Sequence, residues 1–129
     1  MRRLRYAARA PRDGIYKWAL YDRAPLTRWT VGRVTLLGDA AHPMLPYLGQ
    51  GATQAIEDGI VLARSLDAYD DAEVALAAYE RARLERTSAI VLASRAQSSA
   101  LNHVDPYTYA DRKVEVGPMG AYDPGSVPI

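Results

Sequence analysis

The 129-residue chain contains no cysteine, which excludes disulfide bonds, thiol catalysis and cysteine-ligated zinc. Its only histidines, His42 and His103, lie far apart in the sequence, so we expect no metal site. A net charge of +1 argues against binding to duplex DNA. No apolar run reaches membrane-spanning length, and no secretory signal follows Met1. These absences favour a cytoplasmic domain that binds neither nucleic acid nor a membrane.

The composition that remains, 49% hydrophobic and 24% charged, is typical of a globular domain. Its pattern divides the chain into three parts. Residues 1–14 are basic and are predicted to form a disordered arm. Residues 15–104 carry the regular structure, with strands predicted at Ile15–Tyr21 and Val31–Leu37. Residues 105–129 are rich in proline and glycine, which predicts an irregular tail that lies on another surface or is loose.

Two helices are predicted after the second strand. The first covers residues 49–66, where apolar side chains form one stripe at helical spacing. The second covers residues 71–102, and Asp70 with Glu73 has the spacing of a capping box at its start. One face of this second helix is predicted to carry Leu76, Tyr79, Arg83, Ile90 and Ser94.

A pair of adjacent acidic residues, Glu57 and Asp58, lies in the first helix. Neighbouring side chains on a helix point about 100° apart, so these two cannot face each other as a catalytic carboxylate pair. We expect one of them to contact an arginine of the second helix, Arg83 or Arg86.

The loop between the second strand and the first helix carries the candidate chemistry. Asp39 follows Gly38 at the end of the predicted strand, where α/β folds bind ligands. Its carboxylate could accept hydrogen bonds from hydroxyl groups of a sugar or ribityl chain. Alternatively, Asp39 only caps the turn that follows it. The residues alone leave both interpretations open.

The start of the first helix is a second candidate. Backbone N–H groups of Gly49 to Ala52 lack helical partners and, with the helix dipole, favour negative charge. Alternatively, Gly49 and Gly51 only permit a tight turn. His42 could be a general base, but no nucleophile or orienting carboxylate lies at a recognisable spacing, so a structural role is favoured.

Three segments in order resemble one known family. GRVTLLGDAAHPMLPYLGQGATQAIEDG resembles the second FAD-binding motif of flavin-dependent aromatic hydroxylases, the single-component monooxygenases of the salicylate and 3-hydroxybenzoate hydroxylase type. WALYDRAPLTRW before it and LAAYERARLERTSAIVLASR after it are similar to the flanking segments of that family. The resemblance implies an α/β fragment that is mostly helical. It would have one or two strands followed by two long helices, as in the C-terminal part of a Rossmann-like FAD-binding domain.

The resemblance also implies the cofactor and its contacts. FAD is the cofactor, and Asp39, with Gly38 before it, would bind the ribityl hydroxyls. Residues Gly49 to Ala52 would present N–H groups to the pyrimidine edge of the flavin. Pro46 would lie near the isoalloxazine ring, and Gln50 would face the ring or the substrate. The resemblance assigns no catalytic side chain in this chain, and NAD(P)H and an aromatic substrate belong to the complete enzyme.

A G-x-G-x-x-G turn, which binds the FAD pyrophosphate in such enzymes, is absent from the sequence. We therefore expect a truncated product or one half of a split enzyme, with weak or no FAD binding by itself. Two alternatives remain. The chain could be a helical interaction or dimerisation module, since missing strands would leave the apolar stripe of the first helix exposed. It could also be a non-functional remnant.

Overall fold

Two helices that pack against each other dominate the structure, a computed structural model that describes residues 18–102 and 120–129. Helix α1 is Gly51–Ala68 and helix α2 is Ala72–Asn102. Two short 3-10 helices, Gly38–Ala40 and Pro46–Leu48, precede α1. Several segments named in the predictions lie outside the described residues. They are the predicted arm, residues 15–17 of the first predicted strand, His103 and residues 105–119 of the predicted tail.

The predicted strands are the main error of the sequence analysis. Residues 18–21 have no strand structure, and their large side chains, Trp18, Leu20 and Tyr21, are exposed. Residues 31–37 do not form a strand either. Val31 and Val34 pair through N–H···O bonds of 2.9 and 3.2 Å, and the Leu36 N–H donates to the Trp29 carbonyl at 3.3 Å. Gly32, at φ +56°, forms the tight turn between them.

The physical reason for this error is the absence of a pairing partner. A strand needs a neighbour for its backbone N–H and C=O groups. In the part of the chain that the structure describes, Val34 and Leu36 bond to Val31 and Trp29 across a tight turn, and no longer strand pairs with them. The α/β expectation is therefore confirmed only as a mostly helical fragment, without a Rossmann-like sheet in the described residues.

The start of α2 is set by an aspartate cap. Asp71 Oδ1 accepts hydrogen bonds from the backbone N–H groups of Glu73 (2.8 Å) and Val74 (3.1 Å). The predicted helix start was right, but the capping side chain is that of Asp71 rather than Asp70. The helix continues to Asn102, the last described residue of this segment.

A small core lies between the two helices and the loops. Trp29, Ala41, Val61 and Tyr79 form its buried centre. The predicted face of α2 is buried throughout, and its members are Leu76, Tyr79, Arg83, Ile90 and Ser94. This prediction succeeded because helical periodicity identifies the residues that share a face without knowledge of what covers them.

The described end of the predicted tail lies on the helices. Arg64 Nη1 donates to the carbonyl oxygens of Pro124 (2.8 Å) and Val127 (2.9 Å). Tyr69 donates its hydroxyl proton to the carbonyl of Ile129 at 3.2 Å. The last ten residues therefore cover part of α1.

The apolar stripe of α1 faces away from the core. Ile56, Ile60 and Leu66 are 65%, 40% and 51% exposed. The buried face of α1 is instead largely polar and consists of Gln54, Glu57, Asp58, Val61 and Ser65. This exposure is what the missing-strand hypothesis predicts. Neither described helix is long and apolar enough to cross a membrane.

Candidate functional site

A single cleft of about 630 Å³ brings most of the predicted cofactor residues together. Six of the seven predicted residues line it: Gly38, Asp39, Pro46, Gly49, Gly51 and Ala52. The exception is Gln50, which is the N-cap of α1 and does not line the cleft. The volume is within the range of small-molecule sites. Local structure explains the grouping, because the cleft is bounded by the two 3-10 helices and the first turn of α1.

One wall of the cleft is the turn that carries Asp39. The N–H groups of Ala41 (2.8 Å) and His42 (2.9 Å) both donate to the carbonyl of Gly38. The turn is therefore closed by the backbone, and the Asp39 side chain does not cap it. This geometry leaves the exposed carboxylate available to a ligand.

Gly38 is the point at which this turn approaches α1. Its φ is +58°, and a Cβ built on it would lie 3.3 Å from the Cβ of Ala55. A larger residue would therefore strain the backbone and push the turn away from the helix.

The opposite wall is the start of α1. Gly49, at φ +64°, ends the preceding 3-10 helix, and a Cβ on it would meet nothing within 4 Å. The first helical backbone bond is donated by Gln54 to the carbonyl of Gln50 at 2.9 Å. The N–H groups of Gly51 and Ala52 thus belong to the unsatisfied first turn, which favours an electron-rich ligand group.

A buried ionic network lies directly beneath the cleft and is centred on Asp58. Asp58 Oδ2 accepts from the Gly38 N–H at 3.0 Å and from His42 Nε2 at 2.6 Å. Its other oxygen, Oδ1, accepts from Arg83 Nε at 2.8 Å. The side chains of Asp58 and Arg83 are fully buried and that of His42 is 3% exposed. Asp58 therefore connects the loop, α1 and α2.

Glu57 completes the network with two arginines. Its Oε2 accepts from Arg83 Nη1 at 2.7 Å and from Arg86 Nε at 2.8 Å. Arg86 is bidentate, because its Nη2 also donates to Glu57 Oε1 at 2.9 Å. The guanidinium of Arg86 lies 3.8 Å from the ring centre of Tyr122, a cation–π contact. We expected one acidic residue to contact an arginine of α2, and both Glu57 and Asp58 do so.

The network keeps both carboxylates ionised. Burial by itself raises the pKa of Asp58, but hydrogen bonds from His42, Arg83 and the Gly38 N–H outweigh it and lower that pKa below its ordinary value. Burial likewise raises the pKa of Glu57, and the bonds from Arg86 and Arg83 more than reverse this. An ionised carboxylate only accepts hydrogen bonds. His42 Nε2 is therefore the donor to Asp58.

Sequence reasoning did not find the pair of His42 with Asp58. The two residues are 16 positions apart, and no local pattern links a loop histidine with a helical aspartate at that distance. His42 is packed beside the Trp29 ring, with ring centres 5.6 Å apart, as a structural residue would be. Among residues 18–102 and 120–129, no group of three metal-ligating side chains occurs.

Comparison with known proteins gives the family. The profile of the FAD binding domain matches residues 5–94. The 3-hydroxybenzoate 6-hydroxylase 1 of Aquipseudomonas alcaligenes is 46% identical over 107 residues, which are 83% of this chain and 27% of that protein. The 3-amino-4-hydroxybenzoate 2-monooxygenase of Streptomyces cremeus is 51% identical over 79 residues, 60% of this chain and 20% of that protein. The chain thus spans about a fifth to a quarter of the length of these relatives.

Solved structures agree with this assignment. Klebsiella pneumoniae HpxO complexed with FAD and uric acid matches with a TM-score of 0.63 and 38% identity, over 65% of this chain and 22% of that one. FqzB matches with a TM-score of 0.67 and 37% identity, over 83% of this chain and 27% of that one.

The residues of the cleft fit the flavin part of FAD. An exposed carboxylate on one wall suits hydroxyl groups, and an unsatisfied helix start on the other suits an electron-rich ring edge. Open space beyond the Gly49 Cα allows a planar group to approach the backbone. The match over residues 5–94 shows that the chain belongs to the FAD-binding domain family, and flavin-dependent aromatic hydroxylases are among the proteins to which it is similar.

Proposed function

We propose that this chain supplies the part of an FAD site that holds the isoalloxazine ring and the ribityl chain. The observation that carries the proposal is the convergence of Gly38, Asp39, Pro46, Gly49, Gly51 and Ala52 on one cleft. In the complete enzyme, bound FAD would supply the redox chemistry for hydroxylation of an aromatic substrate with NAD(P)H and O2.

The proposed roles follow from the two walls. Asp39 accepts hydrogen bonds from ribityl hydroxyls, and the N–H groups of Gly51 and Ala52 face the pyrimidine edge of the ring. Pro46, in the short 3-10 helix, lies beside the ring. Gln50 contributes its backbone to the helix start rather than a side chain to the cleft.

The remainder of the site would come from outside this chain. The sequence has no G-x-G-x-x-G turn, so we propose that the pyrophosphate and adenosine are bound elsewhere in the complete enzyme. The exposed stripe of Ile56, Ile60 and Leu66 on α1 is the surface through which this fragment would join that remainder.

Titration with three flavins tests this division of the site. The purified chain is titrated with lumiflavin, riboflavin and FAD, and quenching of flavin fluorescence gives the dissociation constants. Riboflavin should bind about tenfold more tightly than lumiflavin, because only riboflavin has the ribityl hydroxyls that Asp39 bonds. FAD should bind no more tightly than riboflavin, since the chain provides no pyrophosphate site.

Asp39→Ala and Asp67→Ala are the matched variants for this titration. Both carboxylates are exposed, but Asp67 lies in the last turn of α1, away from the cleft. Asp39→Ala should reduce riboflavin binding to the level of lumiflavin, and Asp67→Ala should not. A submicromolar dissociation constant for FAD would contradict the incompleteness of the site, and an unaltered riboflavin preference in Asp39→Ala would contradict the role of Asp39.

A further inference from the structure

The loop that carries Asp39 is tied to the protein interior at both ends by one oxygen atom. Asp58 Oδ2 accepts from the Gly38 N–H, which begins the loop, and from His42 Nε2, which ends it. Asp39 lies between these two anchors. The position of its carboxylate is therefore set by the Asp58 side chain on α1, although Asp58 itself is fully buried.

Other restraints on the loop are weaker or more exposed. Arg23 donates through Nη2 to the carbonyl oxygens of Ala40 and Ala41, and its side chain is largely at the surface. The bonds from Ala41 and His42 to the Gly38 carbonyl close the turn but do not connect it to α1. Asp58 is the buried hydrogen-bonding connection between the loop and α1, beside the packing of Ala41 in the core that contains Val61.

We propose that His42 and Asp58 are positioning residues, which hold the Gly38–His42 loop so that Asp39 meets the ribityl chain. The proposal rests on the proposed function, because it concerns the same carboxylate. A charge-assisted hydrogen bond at each end fixes the loop before the ligand arrives, so binding does not have to order it. Loss of one anchor should therefore weaken riboflavin binding, although the Asp39 side chain that contacts the ligand is still present.

The geometry of His42 separates this role from that of a general base. Its Nε2 is committed to the ionised Asp58, and its Nδ1 is buried without a hydrogen-bond partner in the described residues. The ring is 3% exposed and packs against Trp29, so neither nitrogen faces the cleft solvent. His42 acts on the site through Asp58 and the loop backbone.

The two ring nitrogens allow a matched pair of substitutions. The amide nitrogen of glutamine can replace Nε2, whereas that of asparagine replaces Nδ1, which has no partner here. His42→Gln therefore keeps the donor to Asp58, and His42→Asn removes it. The two variants differ by one methylene group and carry the same chemical group, so a loss in one alone identifies the bond to Asp58.

The experiment measures the ratio of lumiflavin to riboflavin dissociation constants in the wild-type chain and in both variants. We expect the ratio in His42→Asn to be about tenfold lower than in the wild type. His42→Gln should keep the wild-type ratio. Asp67→Asn, at an exposed site on α1 outside the network, is the control for introducing an asparagine elsewhere in the chain. The chemical shift of the Gly38 amide proton in 1H–15N spectra reports on its hydrogen bond to Asp58. This shift should differ from the wild-type value more in His42→Asn than in His42→Gln.

The outcomes distinguish this inference from the proposed function. A wild-type chain that does not prefer riboflavin overturns both. A wild-type preference that persists in folded His42→Asn overturns the positioning role alone and leaves the role of Asp39 intact. If His42→Asn does not fold, His42→Gln decides: a folded His42→Gln that loses the preference also overturns the positioning role, and one that keeps it supports the role.

Discussion

Arg83 is the residue whose removal should most affect stability. It is fully buried on α2 and donates to Asp58 Oδ1, Glu57 Oε2 and Gln54 Oε1. Its guanidinium is the cation that makes burial of two adjacent carboxylates tolerable. The sequence analysis expected either Glu57 or Asp58 to contact Arg83 or Arg86, and Arg83 contacts both.

Arg83→Met should lower the free energy of unfolding by about 3–5 kcal/mol at pH 7, because it leaves Asp58 with an uncompensated buried charge. Arg81→Met, at an exposed position two residues earlier, should change it by less than about 0.5 kcal/mol. Urea denaturation followed by circular dichroism measures both values. Equal losses in the two variants would contradict the role of the network.

At acid pH, the free energies of unfolding of Arg83→Met and the wild type should differ less than they do at pH 7. Folding lowers the pKa of Asp58 and Glu57 in the wild type, so their ion pairs stabilise the fold above the ordinary values of 3.8 and 4.5. That contribution is lost as the pH falls through the lowered pKa values. Arg83→Met lacks one of the hydrogen bonds that lower the Asp58 pKa, so the variant has less of this contribution to lose on acidification.

At the scale of elements, the helices could be predicted and the strands could not. Periodicity and capping act within a few residues, so the bounds of α2 and its buried face followed from the sequence. A strand depends on a partner that is distant in the chain. Residues 31–37 have the composition of a buried strand, but Gly32 turns the chain so that Val31 pairs with Val34.

The cap of α2 gives a test at this scale. Asp71→Ala should lower the free energy of unfolding by about 1 kcal/mol, because the N–H groups of Glu73 and Val74 lose their acceptor. Asp70→Ala should have little effect, although Asp70 has the capping-box spacing. Thermal unfolding of the two variants side by side measures the difference. A larger loss in Asp70→Ala would show that the sequence pattern was right and the observed cap unimportant.

At the scale of the whole molecule, α1 has its polar face inside and its apolar face outside. Glu57 and Asp58 are buried, whereas Ile56 is 65% exposed. An isolated folded domain rarely exposes such a stripe, which indicates a missing partner. The chain matches only 27% of the length of a hydroxylase relative, which is consistent with a missing partner. The alternative of a helical interaction module also remains open.

Size-exclusion chromatography tests for an apolar contact surface. We expect the wild-type chain to elute larger than a monomer and the double variant Ile56→Gln/Ile60→Gln to elute as a monomer, because the apolar stripe drives association. Leu92→Gln, at an exposed apolar position on α2, is the control and should elute like the wild type. A monomeric wild type with a sharp thermal transition would count against an obligate partner.

The sequence by itself determined what depends on near neighbours and on characteristic motifs. It identified the two helices, the buried face of α2 and the family, and it led to the expectation that Glu57 or Asp58 contacts an arginine of α2. Only the tertiary structure decided that one oxygen of Asp58 holds both ends of the Gly38–His42 loop and that the predicted strand is folded by a turn. Hydrogen bonds between residues 16 to 26 positions apart have no local signature, because they depend on how the elements pack.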